Sequence, residues 1–199
     1  VLPGQGWSSP VVIGDKVFVT TASADGQPKP KSAQSGSMDP RSNPLFGGGK
    51  APDKVFRFEL HCLNLADGKR LWSKLIDESK PKIAVHPSNT FATETPAADA
   101  ERVYLFFGTT GVLACCDHQG EKVWEKRLDV FPVTFGFGPG SSLTLRDGRL
   151  FLQRDNDAKS SITAWDARTG RELWRADRPG KSSWATPHFW KNSQRTELV

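Results

Sequence analysis

Asn64-Leu-Ala-Asp-Gly-Lys-Arg-Leu-Trp72, Asp117-His-Gln-Gly-Glu-Lys-Val-Trp124 and Asp166-Ala-Arg-Thr-Gly-Arg-Glu-Leu-Trp174 write one phrase three times. Each copy is an Asp or Asn, a tight turn closing on Gly, two polar residues, an aliphatic residue and a Trp. The glycines at 68, 120 and 170 set a period of about fifty residues, the mark of a solenoid or propeller. A unit repeated in this way is chosen for stacking on its neighbours, so it fixes architecture and says little about what the stack binds.

Working outward, a strand-like run precedes each Gly (Phe56 to Leu65, Gly111 to Cys116, Ser161 to Trp165) and a shorter one follows it (Lys69 to Leu75, Glu121 to Leu128, Arg171 to Ala176). Two such runs joined by a Gly-bearing turn are a β-hairpin. A second hairpin comes before each of these, in Ser9-Pro-Val-Val-Ile-Gly-Asp-Lys-Val-Phe-Val-Thr20, Thr95-Pro-Ala-Ala-Asp-Ala-Glu-Arg-Val-Tyr-Leu-Phe-Phe107 and Ser142-Leu-Thr-Leu-Arg-Asp-Gly-Arg-Leu-Phe-Leu152; a fourth copy opens at Thr186-Pro-His-Phe-Trp190. Four antiparallel strands make one propeller blade. The sequence therefore predicts an all-β fold, a β-propeller of four-stranded antiparallel blades, with blade 1 over residues 8–75, blade 2 over 93–128, blade 3 over 141–177 and the start of blade 4 over 185–199.

The alternation of strand, Asp, small turn, Gly, two polar residues, aliphatic and Trp resembles the PQQ-like (pyrroloquinoline-quinone-type) β-propeller repeat family, which includes BamB-like and quinoprotein alcohol dehydrogenase-like propellers. The resemblance implies that Trp72, Trp124 and Trp174 lie on blade faces and dock against the neighbouring blade, with Gly68, Gly120 and Gly170 closing the turns beside them. It also implies a ring of about six to eight blades. A chain of 199 residues is then expected to be part of a larger propeller, completed by the remaining blades of the same ring. The family implies a periplasmic or secreted place in the bacterial cell envelope. No signal peptide and no apolar run long enough to span a bilayer is seen.

A net charge of +5 raises the possibility of nucleic-acid binding. The basic residues do not cluster; in Arg168, Arg171, Glu172, Arg175, Asp177 and Arg178 they alternate with acids along a hairpin. A nucleic-acid surface needs them on one face with interleaved aromatics, so solvated blade edges are expected and no nucleic-acid partner.

One stretch breaks the period. The insertion over 22–54 is rich in Pro, Gly and Ser and holds a single apolar pair, Leu45-Phe46. Such a composition builds no core; it reads either as a surface loop or as a lid or partner-binding arm. Cys62, Cys115 and Cys116 give no disulfide framework. Ala114-Cys-Cys-Asp117 is similar to the vicinal-disulfide string of some quinoprotein dehydrogenases, but in the repeat register both thiols fall inside an ordinary blade strand, where buried free cysteine is expected. His61, His86, His118 and His188 have no ligand spacing, and His61 and His118 read as edge residues. Asp155-Asn156-Asp157 could offer oxygens to Ca²⁺, but it sits where a turn is due and is expected to make Asx-type turn contacts. No metal site and no catalytic residue is assigned.

The residues just before each first strand should face the mouth of the central channel. They are Gln5 and Trp7, Thr93 and Glu94, Phe135 and Phe137, and Trp184. The candidate ligand-binding set is Gln5, Trp7, Glu94, Phe135 and Trp184. Aromatic residues recurring there either stack on a planar ligand or peptide or plug the funnel between blades. Two functions follow. One is a non-catalytic platform for protein or peptide partners, needing no cofactor. The alternative is part of a dehydrogenase that oxidises alcohols or sugars with PQQ and calcium, which demands converging oxygen ligands and a catalytic base; only Glu94 and Trp184 could serve it.

Overall fold

The structure, a computed structural model, describes residues 1–27, 29 and 50–199. The first antiparallel sheet is β1 (Val11–Ile13), β2 (Lys16–Ser23), β3 (Phe56–Asn64) and β4 (Arg70–Ser79), hydrogen-bonded in that order. The second is β5 (Ala97–Ala98), β6 (Arg102–Phe107), β7 (Val112–Asp117) and β8 (Lys122–Arg127). The third is β9 (Thr144–Arg146), β10 (Arg149–Arg154), β11 (Ser161–Asp166) and β12 (Glu172–Asp177), and a hairpin of β13 (Phe189–Lys191) and β14 (Thr196–Leu198) follows. These are three blades and the first hairpin of a fourth, the all-β propeller architecture that the repeat predicts. Most of the 22–54 insertion, Leu45-Phe46 included, lies outside the described residues. β2 continues through Ala22 to Ser23 before it, and β4 runs on to Ser79 because Phe56, Arg57 and Phe58 offer Ser79, Glu78 and Asp77 pairing partners.

Blade 2 explains why its strands are apolar on both faces. On β6, Val103, Leu105 and Phe107 turn toward blade 1, whereas Tyr104 and Phe106 turn toward blade 3; on β7, Val112, Ala114 and Cys116 face blade 1, and Leu113 and Cys115 face blade 3. Alternation along a strand sends neighbours to opposite faces. The first core is completed by Phe18, Phe58, Leu60 and Cys62 of blade 1, and the second by Leu150, Leu152 and Trp165 of blade 3. Ring contacts such as Phe58 to Phe107, 4.9 Å between centroids, knit the first joint.

That alternation settles the cysteines. Cys115 and Cys116 point into different inter-blade cores, and all three thiols are free and fully buried. Burial pushes the Cys115 thiol up to about 12 and Cys116 up to about 11. His61 is not an edge residue. It is fully buried and bridges two hydroxyls, Thr21 Oγ1 at 2.8 Å and Ser73 Oγ at 2.7 Å, across β2, β3 and β4. Ser73 stands directly opposite His61 and Thr21 diagonally across from it, positions that share a face, so a polar ladder satisfies the ring where its pattern position alone suggested solvent.

The tryptophans define the joint between blades. Trp72 of β4 donates its Nε1–H to the carbonyl of His118 at 3.2 Å, and Trp124 of β8 does the same to Ala167 at 3.0 Å. Each therefore reaches the turn of the following blade, and the glycine beside each indole is the next copy's, Gly120 under Trp72 and Gly170 under Trp124. Both glycines have positive φ, +83° and +67°, and a β-carbon on either would also strike the indole. Gly68 shares the turn conformation, with φ +67°, but has open space beside it, and Trp174 is 41% exposed. Outer strands are tied as well: Arg127 of β8 pairs with Asp77 of β4 at 2.9 Å, and Lys74 pairs with Glu121.

Candidate functional site

β5 touches β1 on one side and β9 on the other, which makes the short first strands the inner ones around the axis. The segments leading into them are held to one another by a belt of hydrogen bonds. The backbone N–H of Ser9 donates to Thr95 Oγ1 at 3.0 Å, that of Thr95 to Ser142 Oγ at 2.9 Å, and that of Ser142 to Thr186 Oγ1 at 3.0 Å. The signal for it was in the sequence as Ser9-Pro, Thr95-Pro, Ser142 and Thr186-Pro, one hydroxyl residue opening every repeat. In the sequence these residues mark the repeat, and nothing along the chain shows their reach into the neighbouring blade.

On this belt the approach segments build an aromatic cluster. Phe137 stands 5.8 Å from Trp184, 5.9 Å from Phe135 and 5.3 Å from the ring of His86, the last edge-on. Trp184 is fixed by donation of its Nε1–H to the carbonyl of Gly138 at 2.7 Å, with its ring over Gly140. Phe135 lies in a 3-10 turn over Thr134–Gly136 with φ at 57°, a left-handed conformation that non-glycine residues seldom take. The turn is anchored from below. Asp157 accepts from Thr134 Oγ1 at 2.5 Å and from Ser182 Oγ at 2.6 Å, so one carboxylate ties the Phe135 segment to the Trp184 segment. These two hydroxyls hold Asp157 below the usual carboxylate range. Phe135 is 53% and Trp184 41% exposed.

The other candidates are placed differently. Trp7 is 59% exposed, its backbone N–H donating to Ala92 at 3.0 Å, and among the described residues it has no ring–ring contact. Gln5 exchanges both backbone hydrogen bonds with Ala22, extending the inner edge of blade 1. Glu94, expected as an open carboxylate at the mouth, is instead sealed beneath it at 4% exposure. Its Oε1 accepts from the N–H of Gly108 at 3.0 Å, and Gly108 is wedged between that oxygen and Pro139. Burial pushes the carboxyl up to about 8 against the pull of the backbone N–H groups. A strut to the β6–β7 turn leaves no room for a side chain pointing into solvent.

A quinone with calcium needs several oxygens converging on one point. Asn156 Oδ1 accepts from the N–H groups of Ala158 and Lys159, Asp155 pairs with Arg178 at 3.0 Å, and Asp157 serves the hydroxyls above. The trio diverges, as turn chemistry requires. Among the described residues no group of three or more His, Cys, Asp or Glu is arranged to hold a metal. With Glu94 closed on Gly108, the described residues do not fit that pair of groups. Nor is any described helix long and apolar enough to cross a membrane.

The model of the family described as outer membrane protein assembly factor BamB matches residues 57–188. The chain belongs to this BamB family. Its curated relative from Alkalilimnicola ehrlichii, outer membrane protein assembly factor BamB, is 27% identical over 170 residues, 76% of this chain and 41% of that protein. The chain thus spans less than half the length of the curated relative it matches. Solved structures similar to it include BamB from Moraxella catarrhalis, 17% identical over 71% of this chain and 54% of that one with a TM-score of 0.34. Another is the quinohemoprotein alcohol dehydrogenase ADHIIG from Pseudomonas putida HK5, 16% identical over 62% of this chain and 19% of that one with a TM-score of 0.43. The residues matched to the BamB family run from the second residue of β3 to just before β13, and so take in the Trp72–Gly120 and Trp124–Gly170 joints.

Proposed function

We propose that the chain is a non-catalytic binding platform for a protein or peptide partner in the bacterial cell envelope, on the periplasmic side or secreted, and that the partner docks on the aromatic mouth. The observation that carries this is Phe135 and Trp184, exposed by about half yet held on built supports, Phe135 by the Asp157 tie and Trp184 by Gly138. Large rings already ordered before binding lose little entropy when a partner covers them, and such rings dominate protein interfaces. Membership in the BamB family supports the same role, since its relatives are named for assembly of outer membrane proteins. No cofactor enters this function.

The test places a photo-crosslinking amino acid at Phe135 and at Trp184, with Lys69 as a control on a distant turn, in the protein expressed in its own cell envelope. A discrete protein adduct from the first two positions, absent at Lys69 and lost in a Phe137→Ala background, is expected. The competing dehydrogenase function is read in parallel by calorimetric titration with PQQ and Ca²⁺. Micromolar binding with dye-linked alcohol oxidation, or adducts equal at all three positions, would overturn the platform.

A further inference from the structure

Blades 2 and 3 part at their outer strands to leave a cleft of about 280 Å³, lined by Lys126, Arg127, Leu128 and Asp129 from one side and Arg154, Trp165, Glu172 and Arg175 from the other. The strand registers place these residues. Lys126 opposes Leu113 on the face of blade 2 that meets blade 3, and Arg175 opposes Thr163, which opposes Leu152, on the facing surface of blade 3. The mouth cluster and its proposed partner play no part here.

Among the described residues, three buried polar atoms on that face of blade 3 have no hydrogen-bond partner: Arg154 Nε, Thr163 Oγ1 and Trp165 Nε1. Trp165 is 4% exposed, so its N–H is withdrawn from water without an acceptor. A buried donor left in this state is costly, and native proteins almost always pair it. Arg154 gives Nη1 to the carbonyl of Asp129 at 2.8 Å, and among the described residues its buried Nε, one half of the side-on edge, has no acceptor. Among the described residues neither Arg154 nor Lys126 has a carboxylate within ion-pair distance.

The remaining charges in the cleft are mostly engaged. Glu172 holds Arg175 through two contacts, at 3.0 and 3.3 Å, and Arg127 is held by Asp77 and Glu125. What stays uncompensated is one ammonium and one guanidinium against the single carboxylate of Asp129. The crowding is felt by Arg154, whose guanidinium burial and the Arg175 charge hold below its ordinary range.

We infer that this cleft is a binding site for a carboxylate, gripped side-on by Arg154 with Lys126 opposite and the Trp165 indole N–H in the wall. The planar edge of a guanidinium matches the two oxygens of a carboxylate in a way that a rounder anion does not use as well. Arg154 Nε is shielded from solvent, so the proposed grip includes a turn of the guanidinium that brings this edge to the anion.

The experiment follows the indole Nε1–H resonance of Trp165, assigned with Trp165→Phe, while the full chain is titrated with succinate at constant ionic strength; sodium chloride and inorganic phosphate are separate arms. Succinate moves the Trp165 signal saturably and leaves that of Trp7 in place. Lys126→Gln and Arg154→Gln each weaken succinate at least fivefold. Lys126 is exposed, so its variant keeps the test standing if loss of Arg154 disturbs folding. No saturable shift, an equal shift with chloride, a shift with phosphate alone, or full succinate affinity in Lys126→Gln overturns the assignment.

Discussion

A β-carbon built on Gly170 would stand 2.7 Å from Cδ2 of Trp124, whose indole N–H is bonded to the carbonyl of Ala167 in the same turn. The indole of one blade and the missing side chain of the next are thus two halves of one contact. The Trp72–Gly120 pair repeats it, with Cζ3 at 2.9 Å.

Gly68→Ala and Gly120→Ala separate the turn from the contact. Both sites have positive φ, which costs an alanine roughly 1–2 kcal/mol, but only Gly120 is covered by an indole. We expect Gly120→Ala to be the more destabilising by about 1–3 kcal/mol, the usual range for overpacking. Urea midpoints of the two variants check this, and equal midpoints would refute the joint.

Trp124 and Trp174 occupy the same repeat position in different surroundings. Trp124 packs on the second core and bonds Ala167, whereas Trp174 is 41% exposed. Trp124→Ala should approach the roughly 3–5 kcal/mol of a buried tryptophan. In this 199-residue chain taken alone, Trp174→Ala should lose less than half as much in the same denaturation assay.

Glu94 makes stability fall with pH. Its carboxyl titrates near 8 in the folded chain against 4.5 for the ordinary group, so the folded state holds the extra proton across that window. The contribution of Glu94 to stability is full below pH 4.5, declines by at most about 1.4 kcal/mol per pH unit as pH rises, and levels off above 8. Glu94→Gln keeps an acceptor for Gly108 and removes the titration. The difference in urea midpoint between native and variant protein should therefore drift steadily from pH 5 to pH 8; a constant difference would count against the buried neutral carboxyl.

The belt predicts a cost without a cavity. Ser142→Ala removes the acceptor of the Thr95 N–H and leaves that donor unpaired, worth about 1–3 kcal/mol where water is excluded. Ser142→Thr retains the hydroxyl and should recover most of it. Hydrogen exchange at the Thr95 amide reads the same bond directly.

Cys62, Cys115 and Cys116 should resist thiol reagents in the folded protein and react together on unfolding, because burial keeps the thiolate from forming. Fast modification of Cys115 in the native state would mean an open joint between blades 2 and 3.

Fold was legible because the repeat is local: Gly at a turn and Trp after it can be counted along the chain. Partnership was not, since Trp72 finds Gly120 rather than Gly68, and one-dimensional spacing cannot say which copy a side chain reaches. The register of Phe135 and Trp184 before the inner strands marked them as approach residues, but not the Asp157 and Gly138 partners that hold them. Glu94 had the same register and is buried, because its fate depends on Gly108 and Pro139, which come from another turn and another approach. The cleft at Arg154 left no mark in the sequence; its arginine looks like any other strand-end charge until Asp129 and Trp165 are brought beside it.

The Ser/Thr belt has a direction. The backbone donors of Ser9, Thr95 and Ser142 each face the hydroxyl of the following blade, just as the indoles of Trp72 and Trp124 face the following turn, so the two faces of a blade are different surfaces. Such a joint is heterologous: the face that offers donors meets the face that offers acceptors, and the same contact repeats head to tail from blade to blade. An array built on one asymmetric joint can lengthen or shorten by whole fifty-residue units through gene duplication or loss, with no new contact surface having to evolve at any step.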